Sequence, residues 1–236
     1  MNLNKEIWTE EDGKKFQKYL KSLARLEKES WSRNILNTKM PLLAITSPEV
    51  KRIAKEISKG NFISFLDLWL WDYYENTALN GTLISKIKDF NVYKKYLLKY
   101  ASLADCWASC DVLTFNVNEK NREDFFNLAI FLTKSEKPFA RRIGINIFFK
   151  FIENDDYLNK IFKILNNFKN EKEYYVNMCI AWFVAECFVK NRNLTLEFLK
   201  KNILNDFTVN KAVQKCRDSF RVSSEDKEML ISFKRK

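Results

Sequence analysis

Trp107 and Asp111 stand four residues apart, and this spacing is the strongest chemical signal in the chain. Residues at this spacing share one face of a helix, so an indole ring and a carboxylate project toward the same point. The π-face of an indole and a fixed negative charge both stabilise a group that carries or develops positive charge. The pair therefore predicts a site for a cationic group. The alternative is that Trp107 belongs to the core and Asp111 caps a helix or is solvated.

Two adjacent arginines, Arg141 and Arg142, follow Pro138 in the first turns of a predicted amphipathic helix. Guanidinium groups beside the exposed backbone N–H groups of a helix N-terminus form a combination suited to phosphate. Neighbouring helical residues point about 100° apart, so one arginine can face a groove while the other meets solvent. The alternative is a surface pair that has no partner.

Three further residues of the C-terminal half carry candidate binding groups. Trp182 shares a helical stripe with Tyr175 and Cys179, and such a stripe is more typical of a core than of a binding site. Lys211 and Lys215 are four residues apart and share a helix face. This face either lines the groove of a nucleic-acid duplex or is simply solvated, and both interpretations stay open.

The composition indicates an all-α protein with a polyanionic partner. Only 4 glycines and 3 prolines occur among 236 residues, and helices exclude both residue types from their interiors. The net charge of +11 favours nucleic acid as the partner, followed by an anionic membrane surface. The alternative is a lysine-rich solvated surface that reflects the composition of the genome.

Several classes of enzyme are excluded by what the sequence lacks. Histidine is absent, which removes Ser-His-Asp triads, Cys-His pairs and HExxH zinc sites, and no glycine-rich phosphate loop is present. The 5 cysteines contain no CxxC motif and are expected to be reduced and buried. We therefore expect no metal and no cofactor. The first residues have no apolar signal-peptide core, so we expect a soluble, cytoplasmic protein.

The elements that must position these residues are short helices. Thr9 and Asp12 have the spacing of a capping box and predict a helix that continues to about Asn34, and Ser47 is predicted to cap a helix whose first residue is Pro48. Residues 104–115 are predicted to form the helix that carries Trp107 and Asp111.

Short connections between successive helices favour antiparallel neighbours. We expect residues 1–236 to form a single HEAT-like-repeat domain, in which antiparallel helix pairs stack into a superhelix with a concave DNA-binding face. A compact helical bundle is the alternative.

Four segments occur in an order that resembles a known family. They are residues 45–55, Trp107-x-x-x-Asp111, residues 139–144, and residues 175–182. Their order and spacing resemble the DNA alkylation repair family, the AlkD-like HEAT-like-repeat DNA glycosylases. The resemblance extends from about residue 10 to residue 230.

The resemblance implies roles for individual residues. It assigns Trp107 and Asp111 to the family's Trp–Asp pair, Arg142 to the arginine that faces a phosphate, and Trp182 to the second indole. Arg141 is the alternative to Arg142 by one residue. Lys211 and Lys215 would lie near the end of the stack and contact DNA phosphates.

The activity that the resemblance implies is excision of cationic N3- and N7-alkylpurines from double-stranded DNA, without metal or cofactor. Such a purine leaves without protonation, and a carboxylate stabilises the oxocarbenium-like sugar, so an enzyme without histidine can run this reaction. We expect a monomer that associates with the nucleoid when it binds DNA. Two other functions stay open: a non-catalytic paralogue that binds duplex or branched DNA, and a HEAT-type scaffold for protein partners.

Overall fold

The computed structural model describes residues 1–235 and confirms the all-α prediction. These residues form fourteen α-helices joined by short 3₁₀ turns and irregular segments, and they contain no β-strand. Within the same residues, no helix combines the length and the apolar character that crossing a membrane requires.

The helices pack as two compact units. The N-terminal unit comprises Met1–Asn116. Its helices are α1 Glu10–Ser22, α2 Glu29–Leu36, α3 Ser47–Ile57, α4 Phe62–Asp67, α5 Tyr74–Ile84, α6 Phe90–Leu103 and α7 Trp107–Asp111.

The C-terminal unit begins at Val117. Its helices are α8 Arg122–Thr133, α9 Pro138–Phe148, α10 Asp155–Leu165, α11 Tyr174–Lys190, α12 Arg192–Lys201, α13 Asp206–Asp218 and α14 Ser224–Met229. In this unit α8 packs on α9, α9 packs on α11, and α11 packs on α13. This succession of neighbours is compatible with an α-solenoid, while the single-domain organisation of residues 1–236 stays a prediction.

The predicted long helix from Thr9 to Asn34 is wrong, although its capping box is confirmed. The Thr9 side chain accepts a hydrogen bond from the Asp12 backbone N–H, and α1 then ends at Ser22. The chain turns there because the Arg25 N–H donates to the carbonyl of Leu43, 2.8 Å away. The local sequence pattern does not reveal a contact with a residue so distant in sequence. Periodicity alone therefore predicted one helix where the structure has α1 and α2.

Two other helix boundaries differ from the prediction. Helix α3 begins at Ser47 rather than after it, so that Thr46 occupies the N-cap position without a side-chain cap. The helix predicted over residues 104–115 contains only Trp107–Asp111. It ends early because the Thr114 N–H donates to the Ser85 hydroxyl at 2.8 Å, which draws the chain toward the end of α5.

Helix α5 is the central element of the N-terminal unit, since it contacts α3, α4, α6 and α7. Near its start, Glu75 is only 1 % exposed. Its carboxylate accepts backbone N–H groups from Leu43 at 3.1 Å and from Ile45 at 3.2 Å. Between them Ala44 adopts the left-handed conformation with φ 55°, which non-glycine residues rarely adopt. The buried carboxylate therefore holds the segment that leads into α3.

Close packing of α7 against α5 depends on Gly81. A Cβ atom at this position would lie 2.6 Å from Cγ1 of Val112 and 2.9 Å from the Tyr100 hydroxyl, so only glycine fits without a shift. Tyr100 is fully buried and donates a hydrogen bond to the Ser109 carbonyl at 2.8 Å. Thr77 and Ser109 join their hydroxyls at 3.2 Å. These contacts fix the backbone that carries Trp107 and Asp111.

Replacement of Glu75 tests this arrangement. Glu75→Ala leaves two backbone N–H groups without their acceptor and is expected to cost about 2–4 kcal/mol of unfolding free energy. Glu75→Gln keeps one acceptor oxygen and is expected to cost less. Urea denaturation of both variants measures the difference, and equal losses would contradict the assigned role.

The pH dependence of the same variants supplies a second readout. Burial raises the pKa of Glu75 above its ordinary value of 4.5. The stabilising contribution of this group is therefore fully present below its unfolded pKa and is lost as the pH rises through its folded pKa. As the pH rises above about 4.5 and through the raised folded pKa of Glu75, the parent protein should lose stability relative to Glu75→Gln.

Candidate functional site

Trp107 and Asp111 are the first and last residues of α7, so they share the face that their spacing predicted. The Trp107 side chain is half-buried, and its indole N–H donates to the backbone carbonyl of Ile35 at 3.0 Å. Asp111 is exposed. The short helix thus combines an anchored indole with a carboxylate that solvent and a ligand can reach.

A second carboxylate, Asp105, precedes α7 and ties it to the segment after α2. Its Oδ2 atom accepts the Thr38 hydroxyl at 2.6 Å and the Lys39 backbone N–H at 2.9 Å. Arg33 holds the same segment, because its guanidinium donates to the carbonyls of Thr38 and Met40, each at 3.1 Å. The region before Trp107 is therefore fixed by contacts with residues about seventy positions earlier.

Carboxyl groups of Glu75, Asp105 and Asp111 lie in or near α7, although the whole chain is basic. Burial, followed by electrostatic interaction with Cys106, Glu75 and Asp105 at the high pH where a tyrosine ionises, raises the pKa of the Tyr74 hydroxyl well above its ordinary value. Burial also raises the pKa of the Cys106 thiol, which therefore stays protonated at neutral pH. Such surroundings favour a cationic ligand and disfavour a cysteine nucleophile. All five cysteines are free and buried, as predicted.

Both candidate arginines of α9 bind other parts of the C-terminal unit. Arg141 forms a two-pronged ion pair with Glu171, with distances of 2.8 Å and 3.0 Å, and also donates to the Ser135 carbonyl. Arg142 is only 5 % exposed, and its Nη1 atom donates to the Tyr175 carbonyl at 2.6 Å. Neither side chain projects freely into solvent, contrary to the expectation for a simple surface pair.

Trp182 and Lys215 are brought together in the C-terminal unit. Although α11 is largely buried, Trp182 is 38 % exposed, and its ring packs on Phe149 with centroids 4.5 Å apart. Trp182 and Lys215 line one cleft of about 350 Å³. Among the described residues, its lining includes neither Arg141 nor Arg142. Trp182 is therefore a surface residue on a largely buried helix, and Lys215 lines the same cleft.

Lys211 lies on α13 together with Lys215, as predicted. Its ammonium group contacts Gln214 Oε1 at 3.0 Å and lies 5.9 Å from the centre of the Phe207 ring. The lining of the Trp182 cleft, within the described chain, does not include Lys211. Of the two predicted lysines, only Lys215 therefore lines that cleft.

Sequence reasoning missed Phe220 and Glu186, which line the same cleft. Phe220 is 93 % exposed, and the next residue, Arg221, forms an ion pair with Glu186 that includes a contact of 3.0 Å. Exposure of a single phenylalanine has no signature in a helical pattern. Sequence reasoning also missed Asp105, because its partner Thr38 is remote in sequence. The position of a carboxylate two residues before Trp107 was the one signal that could have found it.

Comparison with known families agrees with the motifs. The family model described as DNA alkylation repair enzyme matches residues 11–216. The chain therefore belongs to the DNA alkylation repair enzyme family, and the family predicted from the four motifs is confirmed. The curated proteins contain no match to the chain. Family membership gives the protein a role in DNA repair and DNA as its substrate class.

The burial of Arg142 leads to a prediction about stability. Arg142→Ala removes a buried, charged side chain that donates a hydrogen bond to the Tyr175 carbonyl, and is expected to cost about 2–3 kcal/mol of unfolding free energy. Arg122→Ala, which removes an exposed arginine of α8, should change stability by less than about 0.5 kcal/mol. Thermal or urea denaturation compares them. Equal losses of unfolding free energy in the two variants would contradict a structural role for Arg142.

Proposed function

We propose that the protein is a DNA glycosylase that hydrolyses the N-glycosidic bond of cationic N7- and N3-alkylpurines in double-stranded DNA. The observation that carries the proposal is the pairing, on α7, of exposed Asp111 with the anchored indole of Trp107. The match to DNA alkylation repair enzymes supports it, because alkylated bases are then the expected lesions.

The reaction needs electrostatic stabilisation more than proton transfer. An alkylpurine cation takes both electrons of the breaking N-glycosidic bond and leaves as a neutral base. The sugar then carries positive charge, which the carboxylate of Asp111 stabilises. Water adds to the sugar carbon and loses a proton to solvent, which yields an abasic site. Asp111 also orients this water by accepting one of its hydrogen bonds.

Of the other candidate residues, the two tryptophans are proposed to act in catalysis by stabilising positive charge, and the cationic residues are proposed to bind the DNA backbone. The indoles of Trp107 and Trp182 contact the cationic base or sugar, and each cation–π contact contributes about 0.5–2 kcal/mol. Arg142, with Arg141 as its alternative, together with Lys211 and Lys215, contacts DNA phosphates and sets the register on the duplex. Binding by Arg141 would require its ion pair with Glu171 to open or to be shared.

We further propose a monomeric protein that works in the cytoplasm, where it associates with the nucleoid when bound to DNA. The net charge of +11 supports electrostatic association with the duplex. Neither a metal nor a cofactor is required, because the charged purine is already a good leaving group.

Replacement of Asp111 tests the reaction. Asp111→Asn keeps the size of the side chain but removes the charge, and is expected to cost about 2–3 kcal/mol of transition-state stabilisation. The release of 7-methylguanine from methylated duplex DNA measures this loss. Asp156→Asn, which removes an exposed carboxylate from the first turn of α10, is the matched control. No release by the parent protein, or full release by Asp111→Ala, would refute the glycosylase.

A second candidate function is binding of duplex or branched DNA without catalysis. The cleft lined by Trp182, Lys215 and Phe220 favours it, because exposed aromatic rings stack on bases and a lysine binds phosphate, although Glu186 and Asp218 also belong to its lining. This function predicts binding that survives Asp111→Ala and no release of any base.

The cation in this cleft leads to a prediction that both functions share. Lys215→Ala should weaken duplex binding for all sequences alike and reduce the slope of log affinity against log salt by about 1. Lys200→Ala is the control, because it removes the same charge from a local pair with Glu197 at 3.0 Å. Fluorescence anisotropy at several salt concentrations measures the slope for each variant. Equal slopes for Lys215→Ala and Lys200→Ala would show that Lys215 does not contact DNA.

A further inference from the structure

Helix α2 and the indole of Trp107 hold each other in place. None of the eight residues of α2 is buried, so packing alone does little to fix this helix. The last carbonyls of a helix have no partner within it, which leaves the Ile35 carbonyl free to accept an external donor. The Trp107 indole N–H supplies that donor at 3.0 Å.

The position of the Ile35 carbonyl depends on the segment that follows it. Asn37 ends α2 in the left-handed conformation with φ 52°, and the chain then enters the segment held by Thr38. Thr38 is 5 % exposed, and its hydroxyl donates to Asp105 Oδ2 at 2.6 Å while it accepts the Met40 N–H at 3.1 Å. Both hydrogen-bonding functions of one hydroxyl are therefore used.

The carboxylate of Asp105 has a structural cost that needs a reason. Its Oδ1 atom is buried and has no hydrogen-bond partner among residues 1–235. Buried polar atoms without partners are rare, because each loses its hydration without compensation. The bonds of Oδ2 to Thr38 and Lys39 offset this cost, and they join the residue two positions before Trp107 to the segment after α2.

Helix α7 cannot orient Trp107 by itself. It has only five residues, and the preceding Cys106 is extended with φ −146°. A single helical turn has little stability of its own. The orientation of the indole therefore depends on two sets of contacts. One is the hydrogen bond from its N–H to the Ile35 carbonyl, and the other is the pair of hydrogen bonds that hold Asp105, two residues before Trp107.

We infer that Thr38 and Asp105 are positioning residues that set the orientation of the Trp107 indole. Their hydrogen bonds join the residue two positions before Trp107 to the segment that follows α2, and they act through the indole. Where catalysis is concerned, the inference rests on the proposed glycosylase function, since an indole displaced by about 1 Å can lower the rate about a hundredfold.

The orientation of Trp107 is tested without any DNA. The protein is labelled with 5-fluorotryptophan, and the resonance of Trp107 among the 6 tryptophans is assigned with Trp107→Phe. Thr38→Val keeps the shape of the side chain but removes the hydroxyl, and we expect the Trp107 fluorine signal to shift or broaden. Thr38→Ser keeps the hydroxyl and should preserve the signal. An unchanged Trp107 signal in Thr38→Val overturns the inference.

A second pair of variants keeps the test decisive if Thr38→Val does not fold. Asp105→Ala removes the acceptor, whereas Asp105→Asn retains an oxygen for Thr38 and Lys39 but loses the charge. We expect the Trp107 signal to change in Asp105→Ala and to be preserved in Asp105→Asn. The same change in both variants would show that charge, not position, is the contribution of Asp105, and would overturn the inference.

Catalysis supplies the last measurement. On methylated duplex DNA, Thr38→Val and Asp105→Ala should lower kcat about 10- to 100-fold with KM within about twofold of the parent value, while Thr38→Ser and Asp105→Asn stay near the parent. Unchanged kcat alongside a changed fluorine signal overturns the catalytic part of the inference. If the parent releases no base, the proposed function fails, whereas the fluorine measurement still decides the positioning.

Discussion

The buried carboxylate of Glu75 is the interaction on which the N-terminal unit depends. It accepts hydrogen bonds from two backbone N–H groups of the segment before α3. These bonds hold Ala44 in the left-handed conformation, which alanine rarely adopts. It also lies at the start of α5, which contacts α3, α4, α6 and α7. Because α7 contains only five residues, its position derives from α5 through Gly81, Tyr100 and Ser109. A buried side chain at the start of α5 thus helps to set the framework of the candidate site.

The two units carry different chemistry. The N-terminal unit places one carboxylate two residues before α7 and another at the end of α7, together with the anchored indole of Trp107. The C-terminal unit places Lys215 and the exposed indole of Trp182 in the lining of one cleft. A DNA lesion that carries positive charge presents both a cationic base and anionic phosphates, so a protein that recognises it needs negative and positive surfaces at once. A net charge of +11 describes only the second requirement.

Predictions from local patterns succeeded where local physics decides the outcome. The capping box at Thr9 is confirmed because its bonds join residues only three positions apart. The shared helix of Trp107 and Asp111 is confirmed for a similar reason. Predictions failed where a distant residue competes for the backbone: the Leu43 carbonyl ends the first helix early, and the Ser85 hydroxyl shortens α7. The surface position of Trp182 also required the structure, because its stripe is typical of a core.

The sequence by itself determined the helical class, the pairing of an indole with a carboxylate, and the family. These depend on residue types and short spacings, which restrict backbone and chemistry locally. Only the tertiary structure decided that Arg141 is paired with Glu171 and that Arg142 is buried. It also decided that Thr38 is hydrogen-bonded to Asp105, two residues before Trp107. Burial and hydrogen-bond partners are properties of how distant segments pack. A linear pattern cannot specify them, because the donor and its acceptor are separated by dozens of residues.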